Sequence, residues 1–267
     1  MLTKTTNDLT YRILTSQPFK FVVGKAMKEF FLHSALVASK SKVLGKIMNG
    51  PFIEGQQGYV TLPDEDASTI AAFAEFAFTG DYQITMALDT SPRKAESSIR
   101  SVRRDSDHDK EWCRPSNDHW KGFARSMVYG FGAKTEDAPI LNEGNMHVDF
   151  SEFFIAHAKI YIFADCYGVA GLLDLTMRKL HKALCGFRLS TLRMGDIVSL
   201  VNYCYDRPCP ETLKMMVVSY LGTIMDSQVT DVAAICFRKV LKRRQDFAAD
   251  MACFMVCRLT SPENLIC

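Results

Sequence analysis

The stretch Phe31-Leu32-His33-Ser34-Ala35-Leu36-Val37-Ala38-Ser39-Lys40-Ser41 changes its apolar period in the middle. Before His33 the pattern is extended: Phe19, Phe21 and Val23 lie two apart, stop at Gly24-Lys25, and resume from Met27 to Leu32, which predicts a hairpin. After His33 the period becomes helical. Ala35, Leu36, Ala38 and Ser39 suit a short helix, and Ser41 suits the N-cap of a second one with Val43, Leu44, Ile47 and Met48 buried, ended by Asn49-Gly50-Pro51. His33 stands where strand meets helix, so its ring is expected to bond backbone groups that the transition leaves open. Ser39 and Ser41 are expected to act as caps, because no His and Asp partners stand ready for a triad.

Outward from this stretch the punctuation stays legible as far as Tyr82. Tyr59 to Leu62 predicts a short strand, and Pro63-Asp64-Glu65-Asp66 an acidic helix start. Ile70, Phe73, Ala74, Phe76, Ala77 and Phe78 then form an aromatic stripe, expected to be buried, that Thr79-Gly80 closes. From Thr85 to Asp149 the periodicity fades and charges of both signs crowd together, which predicts a polar, largely disordered insertion. Phe153, Phe154, His157, Ile160, Tyr161 and Ala164 restore a helical face up to Gly168, and a second helix is expected from about Gly171 to Leu184. Four more follow in the same way: Met194 to Tyr205, Pro210 to Met225, Val229 to Lys242, and Gln245 to Leu259. Pro208 and Pro210 separate the first two.

Five blocks in this order resemble the BTB/POZ domain, particularly its fungal members. They are Phe19-Lys20-Phe21-Val22-Val23-Gly24, then His33 with Leu36 and the Ser39-x-Ser41 step, then Phe52-Ile53-Glu54, then Phe78-Thr79-Gly80-Asp81-Tyr82, and finally Ala158 to Val169, which carries Tyr161 and Ala164. The segment Phe237 to Phe247 is also similar to fungal members. The resemblance implies an α+β fold: a BTB/POZ domain, a small β-sheet with a helical cluster, over 18–84 and 150–186. That domain is interrupted by the 85–149 insertion, preceded by a segment at 1–17 and followed by an all-α extension at 187–267. It marks Phe21, Gly24, His33, Leu36, Ser39, Ser41, Phe52, Glu54, Phe78, Thr79, Gly80, Tyr82, Tyr161 and Ala164 as fold-defining.

As an activity, the resemblance implies protein binding: a scaffold, a homodimer, or a substrate adaptor that holds a cullin in a ubiquitin ligase. Pro18 and Ser34 stand where repressor-type members carry an Asp and a basic residue, so that charged pocket is missing here. Self-association is expected to use the apolar faces of the first two helices instead. The helices after Gly186 suit a cullin-binding addition, and they equally suit a simple completion of the core.

Composition narrows the alternatives. With 32 Lys and Arg against 30 Asp and Glu the chain has no global field to draw in nucleic acid. One local exception, Arg238, Lys239, Lys242, Arg243 and Arg244, keeps open a nuclear regulator that meets nucleic acid through a basic helix; cations at a helix C-terminus explain the same run. The start is polar and its first apolar run strand-sized, and no run approaches the length of a membrane-spanning helix, so neither a secretory signal nor a membrane role is expected. Nine Cys, an odd number set mostly singly in apolar segments, point to reduced, buried thiols inside the cell, in nucleus or cytoplasm.

No catalytic residue, cofactor, metal or small-molecule substrate is expected. Cys253 and Cys257 share a helix face but lack two further zinc ligands, and Gly130-Phe131-Gly132-Ala133-Lys134 lacks the ending of a phosphate loop. Within the insertion Ser106 follows Arg103-Arg104 as a kinase site would. Trp112 and Trp120, the two tryptophans of the chain, make it a candidate partner-binding segment, or one that docks back on the domain.

Overall fold

The computed structural model describes residues 10–84, 118–127, 149–187, 193–224 and 231–260. The architecture is α+β, mainly helical, with one three-stranded sheet. The described residues divide into two compact units, one drawn from Met1–Thr85 and Ala156–Met177, the other from Met86–Ile155 and Arg178–Cys267.

In the first unit β1 (Pro18–Val23) and β2 (Lys28–His33) form the expected antiparallel hairpin, with Phe21 opposite Phe30. Gly24 turns the chain with φ +68°, a conformation that costs glycine little, and Met27 N–H closes the turn on the Gly24 carbonyl at 3.0 Å. Strand β3 (Tyr59–Leu62) lies on the other side of β1 and parallel to it. A parallel partner requires a crossover, which α1 (Ser34–Lys40), α2 (Lys42–Asn49) and α3 (Ile53–Gln57) supply. Helix α4 (Ala67–Thr79) follows and ends on Gly80 in the left-handed region.

Alternation along β1 sends Phe19, Phe21 and Val23 to one face, where Val37, Leu44, Ile70, Phe73 and Tyr82 close over them. The same interior takes Ile160, Phe163 and Ala164 from α6 (Ser151–Cys166), and Val169 and Leu172 from the chain entering α7 (Ala170–Gly186). Rings of Phe73 and Phe163 meet at 5.3 Å. Two segments separated by residues 85–149 thus share one core.

Several expectations need correction. Phe78 (60% exposed) and Val43 (41%) point to solvent, so the stripe of α4 is narrower than its hydrophobicity suggests, and α2 is buried through Leu44 and Met48. In the Phe52-Ile53-Glu54 block Phe52 is 51% exposed and Glu54 half-buried, with Ile53 and Glu54 opening the short helix α3. Ser39 is no cap: its hydroxyl donates back to the Leu36 carbonyl at 2.6 Å, serving the last turn of α1. Within 85–149 the chain is not without structure, because α5 (Asp118–Arg125) is helical with Trp120 and Phe123 buried. Residues 85–117 and 128–148, with Ser106 and Trp112, lie outside the described residues.

Among its described residues the second unit's regular elements are all helices. Beside α5 and the ends of α6 and α7 it holds α8 (Met194–Tyr205), α9 (Glu211–Ile224), α10 (Asp231–Arg243) and α11 (Gln245–Thr260), within a few residues of the expected bounds. Gly222 lets α9 and α11 approach closely, since an added methyl would overlap the Phe254 ring, and Arg258 donates to the Gly222 carbonyl at 2.8 Å.

Candidate protein-interaction surface

Strand register builds the candidate surface. Lys20 of β1 sits opposite Phe31 of β2 and Tyr59 of β3, so the three form a cross-strand row on the face turned away from Phe19, Phe21 and Val23. Phe31 is 62% exposed and Tyr59 36%, both large for aromatic rings. Lys20 bonds Glu29 at 3.0 Å while its ammonium lies 5.4 Å from the Tyr59 ring centre. A flat row of two open rings around a paired cation suits contact with another protein, where aromatic residues anchor and charges orient. Both β2 and β3 are edge strands of the sheet, and the turn before β2 leaves Met27 56% exposed. In contrast α1 and α2, expected to carry self-association, keep Leu36, Val37, Leu44 and Met48 inside and leave Val43 as their only large apolar side chain among the exposed ones.

Polar bonds over long sequence distances hold this surface in place. Ser41 caps α2 by accepting from Leu44 N–H at 2.9 Å, and its hydroxyl donates to the Tyr167 carbonyl at 2.5 Å. Tyr82, fully buried, shares a 2.7 Å hydrogen bond with His157 Nδ1. His33 Nδ1 meets the Ser16 carbonyl at 3.0 Å, a backbone group ahead of β1 rather than one at the helix start. The Ser16 hydroxyl oxygen in turn accepts from Ala35 N–H at 3.3 Å and so caps α1 from outside. Thr79 donates back to the Glu75 carbonyl at 2.8 Å and Asp81 accepts from Tyr82 N–H, fixing the chain as it leaves α4. Phe21, Leu36, Tyr161 and Ala164 are buried, while Thr79 and Gly80 lie at the surface.

An acidic corner lies in the same unit. Asp66 pairs with Lys159 at 2.6 Å. Burial, and next the neighbouring Asp66 and Asp64, raise the Glu65 carboxyl above its ordinary range. Burial and then Glu65 push the Tyr167 phenol up to about 12. Cys166 is exposed, yet partial burial and then the charges of Glu65 and Asp165 raise its thiol above the usual range.

Trp120 belongs to the second unit and is only 9% exposed, so it packs inside its own chain rather than waiting for a partner. Its ring lies 6.3 Å from Tyr220, and Phe123 lies 5.8 Å from Tyr220 and 4.6 Å from His181. His181 Nε2 meets the Phe123 carbonyl at 2.8 Å and the Ser126 hydroxyl at 3.3 Å. Burial lowers the His181 pKa, with the Phe123 carbonyl opposing.

The cysteines also depart from expectation. Among the described ones Cys204 is buried, Cys166 and Cys253 are exposed, and Cys185, Cys209 and Cys257 lie between. The described residues contain no cluster of metal-ligating side chains and no helix long and apolar enough to cross a membrane. Arg238, Lys239, Lys242 and Arg243 stand exposed on α10, whereas Arg244 bonds Asn202 and Asp206. Sequence reading missed the Tyr82–His157 pair, since nothing local in either pattern announces it. No family model matches this chain, and neither does any curated protein.

Proposed function

We propose that the chain is a protein-interaction module of the BTB/POZ type, acting as a scaffold that pairs with itself or holds a cullin as a ubiquitin-ligase adaptor. The observation that carries the reading is the Phe31-Lys20-Tyr59 row: open aromatic rings on the outer face of a sheet whose inner face buries Phe19, Phe21, Val23, Leu32, Val60 and Leu62. The sequence blocks that resemble the family support it as well. Pro18 and Ser34 stand at the positions that carry charge in repressor-type members, which favours the scaffold and adaptor forms. Light scattering of the purified chain, together with retention of a purified cullin, tests the reading. A chain that stays monomeric at every concentration and retains no cullin contradicts it.

A second reading, a nuclear regulator that meets nucleic acid, draws on the four exposed cations of α10. It requires salt-sensitive retention on DNA that Ala substitution of Arg238, Lys239, Lys242 and Arg243 abolishes. Retention unchanged by those substitutions sinks it.

A further inference from the structure

Hydrogen-bond direction across the sheet leaves one backbone edge open. Lys20 N–H donates to the Gly58 carbonyl at 3.1 Å and Gly24 N–H to the Leu62 carbonyl at 2.9 Å, so Lys20, Val22 and Gly24 turn their backbone groups toward β3. Phe19, Phe21 and Val23 therefore turn theirs toward β2, where they meet Leu32, Phe30 and Lys28. Ser34 N–H, donating to the Gln17 carbonyl at 3.0 Å, continues that set. The alternate residues of β2 face the other way: the N–H and C=O of Glu29 and Phe31, and the N–H of His33, point away from the sheet. Among the described residues no strand pairs with that side, and no backbone bond reaches Glu29 or Phe31 from it.

Edge strands ordinarily carry a guard against pairing, such as a proline, a bulge or an unpaired charge. From Glu29 to His33 there is no proline, the register with β1 runs without a bulge, and the one carboxylate is already paired with Lys20 at 3.0 Å. This edge is also complementary to itself. When two β2 strands lie antiparallel and centred on Phe31, Phe31 faces Phe31, Glu29 faces His33, and Phe30 lies beside Leu32 on the face that each copy buries. Residues with outward backbone groups then meet one another, as the ladder requires. Sliding the copies so that Glu29 faces Phe31 sets Lys28 beside Leu32 on the buried face, and sliding them the other way sets Phe30 beside Ser34, where α1 begins. Centring on Glu29 opposes two carboxylates. The Phe31 register satisfies hydrogen bonds, apolar neighbours and charge together.

We infer, resting on the self-pairing form of the function proposed above, that the edge of β2 pairs antiparallel with the same edge of a second copy about a two-fold axis at Phe31. Two three-stranded sheets then become one of six strands. Each Phe31 N–H donates to the Phe31 carbonyl of the other copy and each His33 N–H to a Glu29 carbonyl, with the facing Phe31 Cα atoms about 5.5 Å apart. The outer face carries one continuous row, in which Tyr59-Lys20-Phe31 of one copy runs into Phe31-Lys20-Tyr59 of the other. A contact in which the same patch serves both copies closes on itself, so it stops at the dimer. Its small extent suits reversible association.

Hydrogen exchange of the full chain, resolved to single amides by mass spectrometry and run from dilute to concentrated protein, tests the pairing. The Phe31 and His33 amides are expected to slow at least about tenfold as the dimer forms, while those of Lys28, Phe30 and Leu32, which face β1, stay protected throughout. Two variants then separate backbone from ring. Phe31→Ala removes the ring and keeps the N–H; Phe31→Pro removes both, and because that N–H faces away from β1 the hairpin ladder is left intact. Proline is expected to weaken dimerisation at least about tenfold more than alanine, since each copy loses a central hydrogen bond. Equal weakening by the two overturns the edge pairing, and so does a dimer whose Phe31 amide exchanges as fast as in the dilute chain; both results leave self-association standing on another surface. A chain that stays monomeric, or whose Phe31 amide slows only when a purified cullin is added, overturns the second copy as the occupant. The exchange measurement uses the unaltered chain, so it decides even where Phe31→Pro fails to fold.

Discussion

The two units hold their pieces together in different ways. In the sheet-bearing unit, segments far apart in sequence share a single interior, and buried polar bonds such as Ser41 to Tyr167 and Tyr82 to His157 lock them in register. In the helical unit, α5 is attached through two aromatic rings and the backbone carbonyl of Phe123. An eight-residue helix is too short to persist in water by itself, so α5 exists because Trp120 and Phe123 are docked. Distant chain segments become cooperative when a common core and satisfied polar bonds tie them. A segment held by few contacts can be detached alone.

The strongest way to break this contrast is Phe163→Ala. It empties the centre of the shared interior and is expected to cost about 3–5 kcal/mol in denaturant unfolding, with the exchange protection of β1 lost at the same time. Protection of β1 that survives the substitution would separate the two segments. Gly222→Ala is next: the added methyl meets the Phe254 ring, and about 1–3 kcal/mol of destabilisation is expected, read as loss of exchange protection in α9 and α11 with β1 unchanged. Tyr82→Phe keeps the ring and removes one buried hydrogen bond, so a loss of about 1 kcal/mol is expected by the same unfolding measurement.

The smallest effect concerns α5 and pH. Burial holds the His181 pKa below the ordinary 6.5, so the unfolded state binds the proton more readily. Stability from this group is present above that value and is lost as pH falls through the lower, folded one. Acidification below 6.5 should loosen α5, seen as a red shift of Trp120 emission in a Trp112→Phe background. A His181→Gln chain should show no such shift over the same range.

How much of this was legible in the sequence follows from the range of each interaction. The Ser41 cap could be read because its partner Leu44 is three residues away, and the bounds of α8 and α9 because Pro208 and Pro210 interrupt an apolar period. Which aromatic residues are buried could not be read so directly: Phe73 and Phe78 belong to one stripe, yet the first touches Phe163 and the second faces water. Helix α5 was missed because two rings spaced three apart in a charged context make no period. The Phe31-Lys20-Tyr59 row depends on strand register, and β3 reaches β1 only through a crossover, so its parallel pairing has no local signature.

Phe31 supplies the sharpest test of the interaction role, since it is open to solvent and absent from the core. Binding of the purified chain to itself and to a purified cullin should be compared with that of Phe31→Asp, alongside the unfolding midpoint of each. The account predicts association that weakens at least about tenfold, about 1.4 kcal/mol, with the midpoint unchanged. Equal association in both chains, or none in either, would contradict it.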